Sequence, residues 1–283
     1  MSQLPVDRAN TGPGPTTMHY AEYTTRRLGE KTLIREFLNL DRTLTAYALG
    51  DLDDAFWPQS TFYGAWSGEE LVSLVLVYAG LDPAVLTAFG EPEGVRAIFE
   101  TKPLPQEIYY LFPLYMGDLL SVYYERPHSQ QEWRMVLDQE AFAPPSVDGV
   151  ARLGPDHALA LDELYRHAAE PGEAIVAFDP WQIAHGMFYG VWNGGELIAA
   201  AGTHVWSPAE GVAAIGNVFT RPDCRGRGYA TRCAAAVTVE ALRAEMDTVI
   251  LNVRDGNTPA IHVYEKLGFR RFCLFWEGPG VRR

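Results

Sequence analysis

Arg225-Gly226-Arg227-Gly228-Tyr229-Ala230 combines three properties that favour an anion. Two closely spaced glycines let a backbone turn approach a ligand with no side chain in between. Successive N–H groups of such a turn line a concavity that holds negative charge. The sequence after the turn reads as a helix to about Met246, and a helix start carries unpaired N–H groups and a partial positive charge. Arg225 and Arg227 add full charges. The stretch predicts a site for a phosphate or pyrophosphate.

A turn of this kind needs a strand to enter it and a helix to leave it. Val212 to Thr220 reads as the strand, and Ala230, Cys233, Ala234, Val237 and Ala241 fall on one face of the helix. Upstream, Val150 to Leu153 predicts a strand and 156–169 a helix, with a loop at Glu170-Pro171-Gly172-Glu173 and a short helix from about Asp179. Met187 to Trp192 and Leu197 to Val205 predict a hairpin across Asn193-Gly194-Gly195. Downstream come a strand, Thr248 to Val253, and a helix with Asn257 as N-cap, Pro259 in its first turn and Gly268 at its end. Phe269 to Trp276 is the last strand. In the first half, Tyr23 to Leu49 has helical spacing. Phe62 to Trp66, Leu71 to Tyr78, Val85 to Phe89, Tyr109 to Phe112, Leu119 to Tyr124 and Gln131 to Gln139 read as strands, with a helix at Glu93 to Phe99. Ala143-Pro144-Pro145-Ser146 is the linker.

An internal repeat sets the architecture. Phe62-Tyr63-Gly64-Ala65-Trp66-Ser67-Gly68-Glu69-Glu70-Leu71 matches Phe188-Tyr189-Gly190-Val191-Trp192-Asn193-Gly194-Gly195-Glu196-Leu197 at seven of ten positions, with an offset of 188 − 62 = 126. One α/β unit used twice is the simplest reading. The copies differ where it matters. The first has Phe89-Gly90-Glu91-Pro92-Glu93-Gly94 where the second has its arginine-glycine turn, and two glutamates repel a phosphate. Two similar folds with one complete ligand site are expected.

Composition narrows the partners. The 283 residues carry a net charge of −13, which argues against nucleic acid. The first 147 residues hold 10 Lys+Arg against 20 Asp+Glu, and the remainder 13 against 16. That acidity serves solubility or steers a cationic substrate. No apolar run is long enough to span a membrane, and 1–18 reads as a disordered leader. Cys224, Cys233 and Cys273 have no metal-ligand spacing and are odd in number. Reduced thiols, a cytoplasmic location and no metal are expected.

Strand, arginine-glycine turn, long helix, strand, and then Asn257-Thr258-Pro259-Ala260-Ile261-His262-Val263-Tyr264-Glu265-Lys266-Leu267-Gly268-Phe269 together resemble the GNAT acyltransferase superfamily over roughly Val150 to Glu277. Gly216 to Tyr229 also resembles the glycine N-acyltransferase-like branch, which uses donors larger than acetyl-CoA. The resemblance implies an α/β (α+β) protein of two GNAT-like lobes, each a mixed, mainly antiparallel sheet flanked by helices. A degenerate lobe without a cofactor site occupies 19–145 and a catalytic lobe 146–283. It implies acetyl-CoA, or another acyl-CoA, as co-substrate and a primary amine of a small molecule or peptide as acceptor, in a monomer or homodimer.

The resemblance also implies residue roles. Backbone groups of Val218, Phe219 and Thr220 would hold the pantetheine arm where the sheet splays open, and an N–H near Val218 would hold the oxyanion. Arg225, Gly226, Arg227, Gly228, Tyr229, Ala230 and Thr231 would cradle the pyrophosphate. Asn257 would touch the pantetheine arm or serve only as an N-cap. Tyr264 would protonate the departing thiolate, and a phenol with an ordinary pKa near ~10 suits that task. Glu173 and His204 rank first as general base, and Asp179, Trp181 and Asn217 are candidates for the acceptor side.

Overall fold

Each copy of the repeated stretch folds as the same hairpin in the computed structural model of the chain, which describes residues 23–166 and 180–283. A Cβ on Gly64 would lie 2.7 Å from Leu71, and one on Gly190 would lie 2.6 Å from Leu197. The repeat therefore conserves a packing unit: a glycine on one strand makes room for a leucine reaching over from the next.

The first half runs β1 (Tyr23–Leu28), α1 (Lys31–Leu38), α2 (Arg42–Gly50), β2 (Ser60–Ser67), β3 (Glu70–Tyr78), β4 (Ala84–Gly90), α3 (Pro92–Thr101), β5 (Glu107–Pro113), α4 (Gly117–Tyr123), a two-residue β6 (Tyr124–Glu125) and β7 (Gln130–Leu137). The second runs β8 (Val150–Leu153), α5 (Ala158–Arg166), α6 (Pro180–His185), β9 (Phe188–Asn193), β10 (Glu196–Ser207), β11 (Val212–Thr220), α7 (Tyr229–Arg243), β12 (Thr248–Arg254), α8 (Thr258–Lys266) and β13 (Phe269–Arg282). The fold is α/β, with helices flanking mixed and mostly antiparallel strands; β4–β5 and β11–β12 are the parallel pairs.

The two halves share one sheet, in the order β1-β2-β3-β4-β5-β13-β7-β12-β11-β10-β9-β8. That order is nearly a mirror image about its centre, because the final strands have changed places. β13, the last strand of the chain, pairs with β5 of the first half, while β7 pairs with β12 of the second. The two exchanged strands also pair with each other, Phe269 to Glu277 against Leu137 to Gln130. Backbone ladders thus join the halves.

Three elements differ from expectation. Tyr23 to Leu28 is a strand rather than the start of a helix: Tyr23, Thr24 and Thr25 favour an extended chain, and the segment pairs with β2. Leu119 to Tyr124 is mostly the helix α4, where adjacent Leu119 and Leu120 are both buried and the Ser121 hydroxyl donates to the Gly117 carbonyl at 2.9 Å. Two buried neighbours suit a helix stripe and break a strand's alternation. β13 also continues beyond Trp276, because β5 and β6 offer it partners as far as Arg282. The leader, 1–18, lies outside the described residues.

The sheet has two covered faces in the second half. Ile215, Leu251, Val253 and Met135 pack under α7 and α8. Ala214, Ile250 and Val136 point the other way, against Ala46, Ala48 and Leu49 of α2, so a helix of the first half covers the sheet of the second. A bidentate pair fixes this packing, with Arg35 donating to Glu210 at 2.8 and 2.6 Å. The Glu210 side chain is 5% exposed and that of Arg35 37%. Removing Arg35 leaves a buried carboxylate without its partner, while the exposed end of the pair is screened by water. Arg35→Ala is therefore expected to cost about 2 kcal/mol, read as a lower urea midpoint, and Glu210→Gln less.

Candidate functional site

The arginine-glycine turn begins after β11. A short 3₁₀ turn at Pro222–Cys224 leads to Gly226 and Gly228, with φ of +78° and +77°. Both lie in the left-handed region that glycine enters freely, and a Cβ at either would meet nothing within 4 Å. Gly228 is the N-cap of α7 and offers no side-chain acceptor. The first helical bond is Arg232 N–H to the Gly228 carbonyl, 3.1 Å. The backbone N–H groups of residues 226–231 find no acceptor among the described residues. Six adjacent N–H groups without acceptors among the described residues, at the start of a fifteen-residue helix, are an arrangement that suits an anion.

Beside this turn the sheet opens. β11 and β12 pair in parallel only from Val212–Thr248 to Ile215–Leu251. Past that rung β11 keeps its partner β10 but bulges, so that Asn217 and Val218 together oppose Ala201. Asn217 has φ +52°, an uncommon conformation for a side-chain-bearing residue and one that asparagine tolerates. Two contacts hold it there: Tyr165 donates to the Asn217 carbonyl at 2.8 Å, and the Asn217 amide donates to Gln182 at 3.2 Å. A bulge re-aims backbone groups at a strand edge. Thr220 is buried, its hydroxyl has no partner among the described residues, and its carbonyl accepts from Arg225 Nε at 3.2 Å. The Arg225 guanidinium lies 5.6 Å from the centre of the Phe219 ring. An extended chain ending in phosphates fits these features: open edge, orphan hydroxyl, free N–H groups.

Tyr264 is buried in the cluster under α7 and α8, and Val218 and Tyr229 pack against that same cluster. Its ring meets Phe269 edge-on at 6.1 Å. Burial raises its pKa well above the ordinary phenol, so it keeps its proton at neutral pH. Asn257 is exposed and caps α8, accepting from the Ala260 N–H at 3.2 Å. Cys224 and Cys233 are buried, and burial raises the pKa of Cys233 to about 12. Among the described residues no group of three or more His, Cys, Asp and Glu is arranged to hold a metal, and no helix is long and apolar enough to cross a membrane.

The first half has the same opening, closed. β4 and β5 pair only from Ala84–Ile108 to Leu86–Tyr110, and the Thr87 hydroxyl then bridges to the Leu111 carbonyl at 2.6 Å. Where the second half has its turn, Gly90 runs straight into Glu91-Pro92 and α3. The Glu91 N–H is taken by the Val72 carbonyl at 3.0 Å, and proline at the next position has none to offer.

On the other face of the opening stands His204. A Cβ on Gly216 would lie 1.7 Å from its imidazole, so the ring rests on backbone where the ladder parts. Its other neighbour is Tyr47 of α2, edge-on at 6.3 Å. Burial lowers the His204 pKa to about 4. The ordinary value is ~6.5, so between about pH 4 and 6.5 the unfolded chain binds the extra proton and stability rises with pH. His204→Asn is expected to flatten that rise by up to about 3 kcal/mol, checked by urea unfolding at pH 4.5 and pH 7. Trp181 stacks on His185 at 4.1 Å and meets Phe56 of the first half at 5.0 Å. Glu173 and Asp179 lie outside the described residues.

Four side chains near this opening carry no local sequence signal. Arg134 on β7 is fully buried and donates to Asn252 of β12 at 3.1 Å and to the Leu44 carbonyl of α2 at 2.5 Å. Glu132, two residues earlier on the same face, is opposite Arg254 on β12. Tyr109 donates to Glu277 at 2.6 Å. Burial, and Glu277 beside it, raise the Glu132 pKa. Strand exchange brings β7 and β13 to this rung, and only the topology reveals it.

The model for the Acetyltransferase (GNAT) family matches residues 157–269. The chain is 34% identical over 226 residues to the mycothiol acetyltransferase of Tsukamurella paurometabola, covering 73% of this chain and 70% of that protein. It is 32% identical over 146 residues to that of Geodermatophilus obscurus, covering 50% and 44%, so here the match spans less than half the relative's length. A solved tandem GNAT protein from the clavulanic acid biosynthesis pathway shares the fold, with TM-score 0.56 at 15% identity over 92% of this chain and 98% of that one.

Proposed function

The chain belongs to the acetyltransferase (GNAT) family, and from that premise we propose that its second half, 146–283, moves an acetyl group from acetyl-CoA to a primary amine by direct attack. The first half, 19–145, has no pyrophosphate turn and serves as a wall of the acceptor cleft. One observation carries the reading: the six unpaired N–H groups at 226–231 lie beside a sheet that opens after Ile215 and Leu251.

In this reading residues 226–231 hold the pyrophosphate, with Arg225 and Arg227 adding charge. Val218 to Thr220 present the backbone edge along which the pantetheine arm lies, and Asn257 stands at the start of α8 beside it. The amine nitrogen attacks the thioester carbonyl, and an N–H near Val218 receives the negative oxygen. As the carbon–sulfur bond breaks, Tyr264 gives its proton to the sulfur. The acceptor's own proton passes to Glu173 or His204. Burial keeps His204 in its neutral form and also weakens it as a base. Asn217 and Trp181, with Asp179, border the acceptor.

The relatives' name makes mycothiol chemistry one source of the acceptor. The test is incubation with acetyl-CoA and a panel of small amines, amino acids and peptides, followed by free thiol and by mass of the product. Acetylated amine with equimolar thiol is expected. Preference for longer acyl-CoA with an amino acid would shift the reading to that branch of donors. Binding without thiol release for any donor and amine would make the protein an acyl-CoA sensor instead.

A further inference from the structure

The bulge at Asn217 is pinned from outside its own sheet. Asn217 and Val218 share one rung opposite Ala201, and Asn217 sits at φ +52°. A side-chain-bearing residue stays in that conformation only where its surroundings hold it. Two helices supply the hold. Tyr165, near the end of α5, donates its hydroxyl to the Asn217 carbonyl at 2.8 Å. Gln182 of α6 accepts from the Asn217 side-chain amide at 3.2 Å. Tyr165 is 6% exposed and Gln182 7%, so water competes little for either bond. The Tyr165 ring is fixed in turn. It belongs to the cluster of Leu161, Ile183 and Phe188 and meets Phe219 edge-on at 6.4 Å. Burial raises its pKa well above the ordinary phenol, so the hydroxyl remains a donor. The half without the turn has no such bulge: β3 and β4 pair without a shift from Ser73–Gly90 to Tyr78–Val85.

A peptide unit is planar and trans, so its C=O and N–H point in opposite directions. The Asn217 carbonyl and the Val218 N–H belong to one such unit. A carbonyl held toward α5 therefore turns the Val218 N–H away from α5. The two faces of the sheet are distinct here: Ala200 packs in the cluster of α5, while its neighbours Ala199 and Ala201 pack in the cluster under α7 and α8. Val218 packs against that second cluster, which contains Tyr264. The bond from Tyr165 also draws electron density onto the carbonyl oxygen, and this polarisation strengthens the N–H at the other end of the unit as a donor. One hydroxyl of α5 thus sets both the direction and the strength of the Val218 N–H.

We propose that Tyr165 and Gln182 are positioning residues for acyl transfer, which lock the peptide between Asn217 and Val218 so that its N–H meets the thioester oxygen. Neither touches the reacting atoms. The inference rests on the acyl-transfer reading and adds to it the side chains that preorganise its oxyanion donor. When the amine attacks, the carbonyl oxygen takes up the electron pair of its π bond, and a donor already aimed at that oxygen needs no reorganisation. The hold comes from α5 and α6, whereas residues 226–231 hold the pyrophosphate. Polarisation of the thioester and affinity for the cofactor are therefore separable.

Tyr165→Phe removes one oxygen and keeps the packed ring. It is tested on the full chain with carbonyl-labelled acetyl-CoA, whose infrared carbonyl band falls in frequency as a donor polarises it. Binding to the unaltered protein is expected to lower the band, and Tyr165→Phe to abolish at least half of that shift. In the same variant kcat should fall about tenfold or more, with KM for acetyl-CoA within about twofold. Gln182→Met, which keeps the side-chain length, should act in the same direction and less strongly. A band that does not move on binding, or that moves equally in Tyr165→Phe, would overturn the proposal. So would a loss of kcat in step with a higher KM for acetyl-CoA and an unaltered band, the mark of a merely structural role. Should Tyr165→Phe fail to fold, an unaltered band in Gln182→Met overturns it in the same way. Thiol release assayed in parallel separates the two claims. Amine-dependent release at an unchanged kcat in Tyr165→Phe defeats the positioning role and leaves acyl transfer standing. A variant-sensitive band without release for any amine defeats acyl transfer and leaves the aimed N–H standing.

Discussion

Tyr264→Phe is expected to lower kcat by about 100-fold while the affinity for acetyl-CoA stays within about twofold, the usual lower bound for loss of a positioned acid. Three features of this side chain suit it to donate a proton. Its ring belongs to the same cluster that Val218, at the opening, and Tyr229, at the turn, pack against. It has no hydrogen-bond partner among the described residues, which leaves its proton free for a sulfur. Burial keeps that proton on at neutral pH. Phenylalanine preserves the ring and its contact with Phe269, so the fold should be retained. If kcat were unchanged, Tyr264 would be a core residue and nothing more. A shared loss of kcat and stability would point the same way.

Gly228→Asp should separate binding from folding. The glycine caps α7 at φ +77° with open space beyond its Cα. Aspartate is among the residues that tolerate the left-handed region, at a cost of about 1 kcal/mol. Its carboxylate would stand among the free N–H groups of 226–231 and offset part of that cost as a helix cap does. Thermal stability should change by only a few degrees. The same carboxylate would occupy the place of a phosphate and repel one. The affinity for acetyl-CoA is expected to fall at least 100-fold, about 2.7 kcal/mol. Retained affinity would move the anion site elsewhere.

The parts of this protein that are local in sequence were legible there. The turn at 225–230, the helix cap at Asn257 and the hairpins around Gly68 and Gly194 each depend on a few adjacent residues with special backbone needs. The repeat was legible for a related reason, since a glycine that admits a leucine must recur wherever that packing recurs. The exchange of β7 and β13 was not. A strand's alternation names its buried face but not its neighbours, and either arrangement satisfies the same pattern. Everything that depends on the exchange was hidden with it: Glu132 and Arg134 read as polar positions in a weak strand, and Tyr47 as one face of a helix. The α4 segment failed for a different reason, because a six-residue apolar run suits a strand or a helix equally until its neighbours are known.

Isothermal titration with acetyl-CoA counts the cofactor sites. Each chain is expected to have one complete cofactor site, made by the free N–H groups at 226–231, and a closed counterpart where Glu91 and Pro92 start α3. A stoichiometry of one acetyl-CoA per chain is predicted, retained in Glu91→Ala and lost at the same concentrations in Gly228→Asp. Two sites per chain, or one site that survives Gly228→Asp, would contradict it.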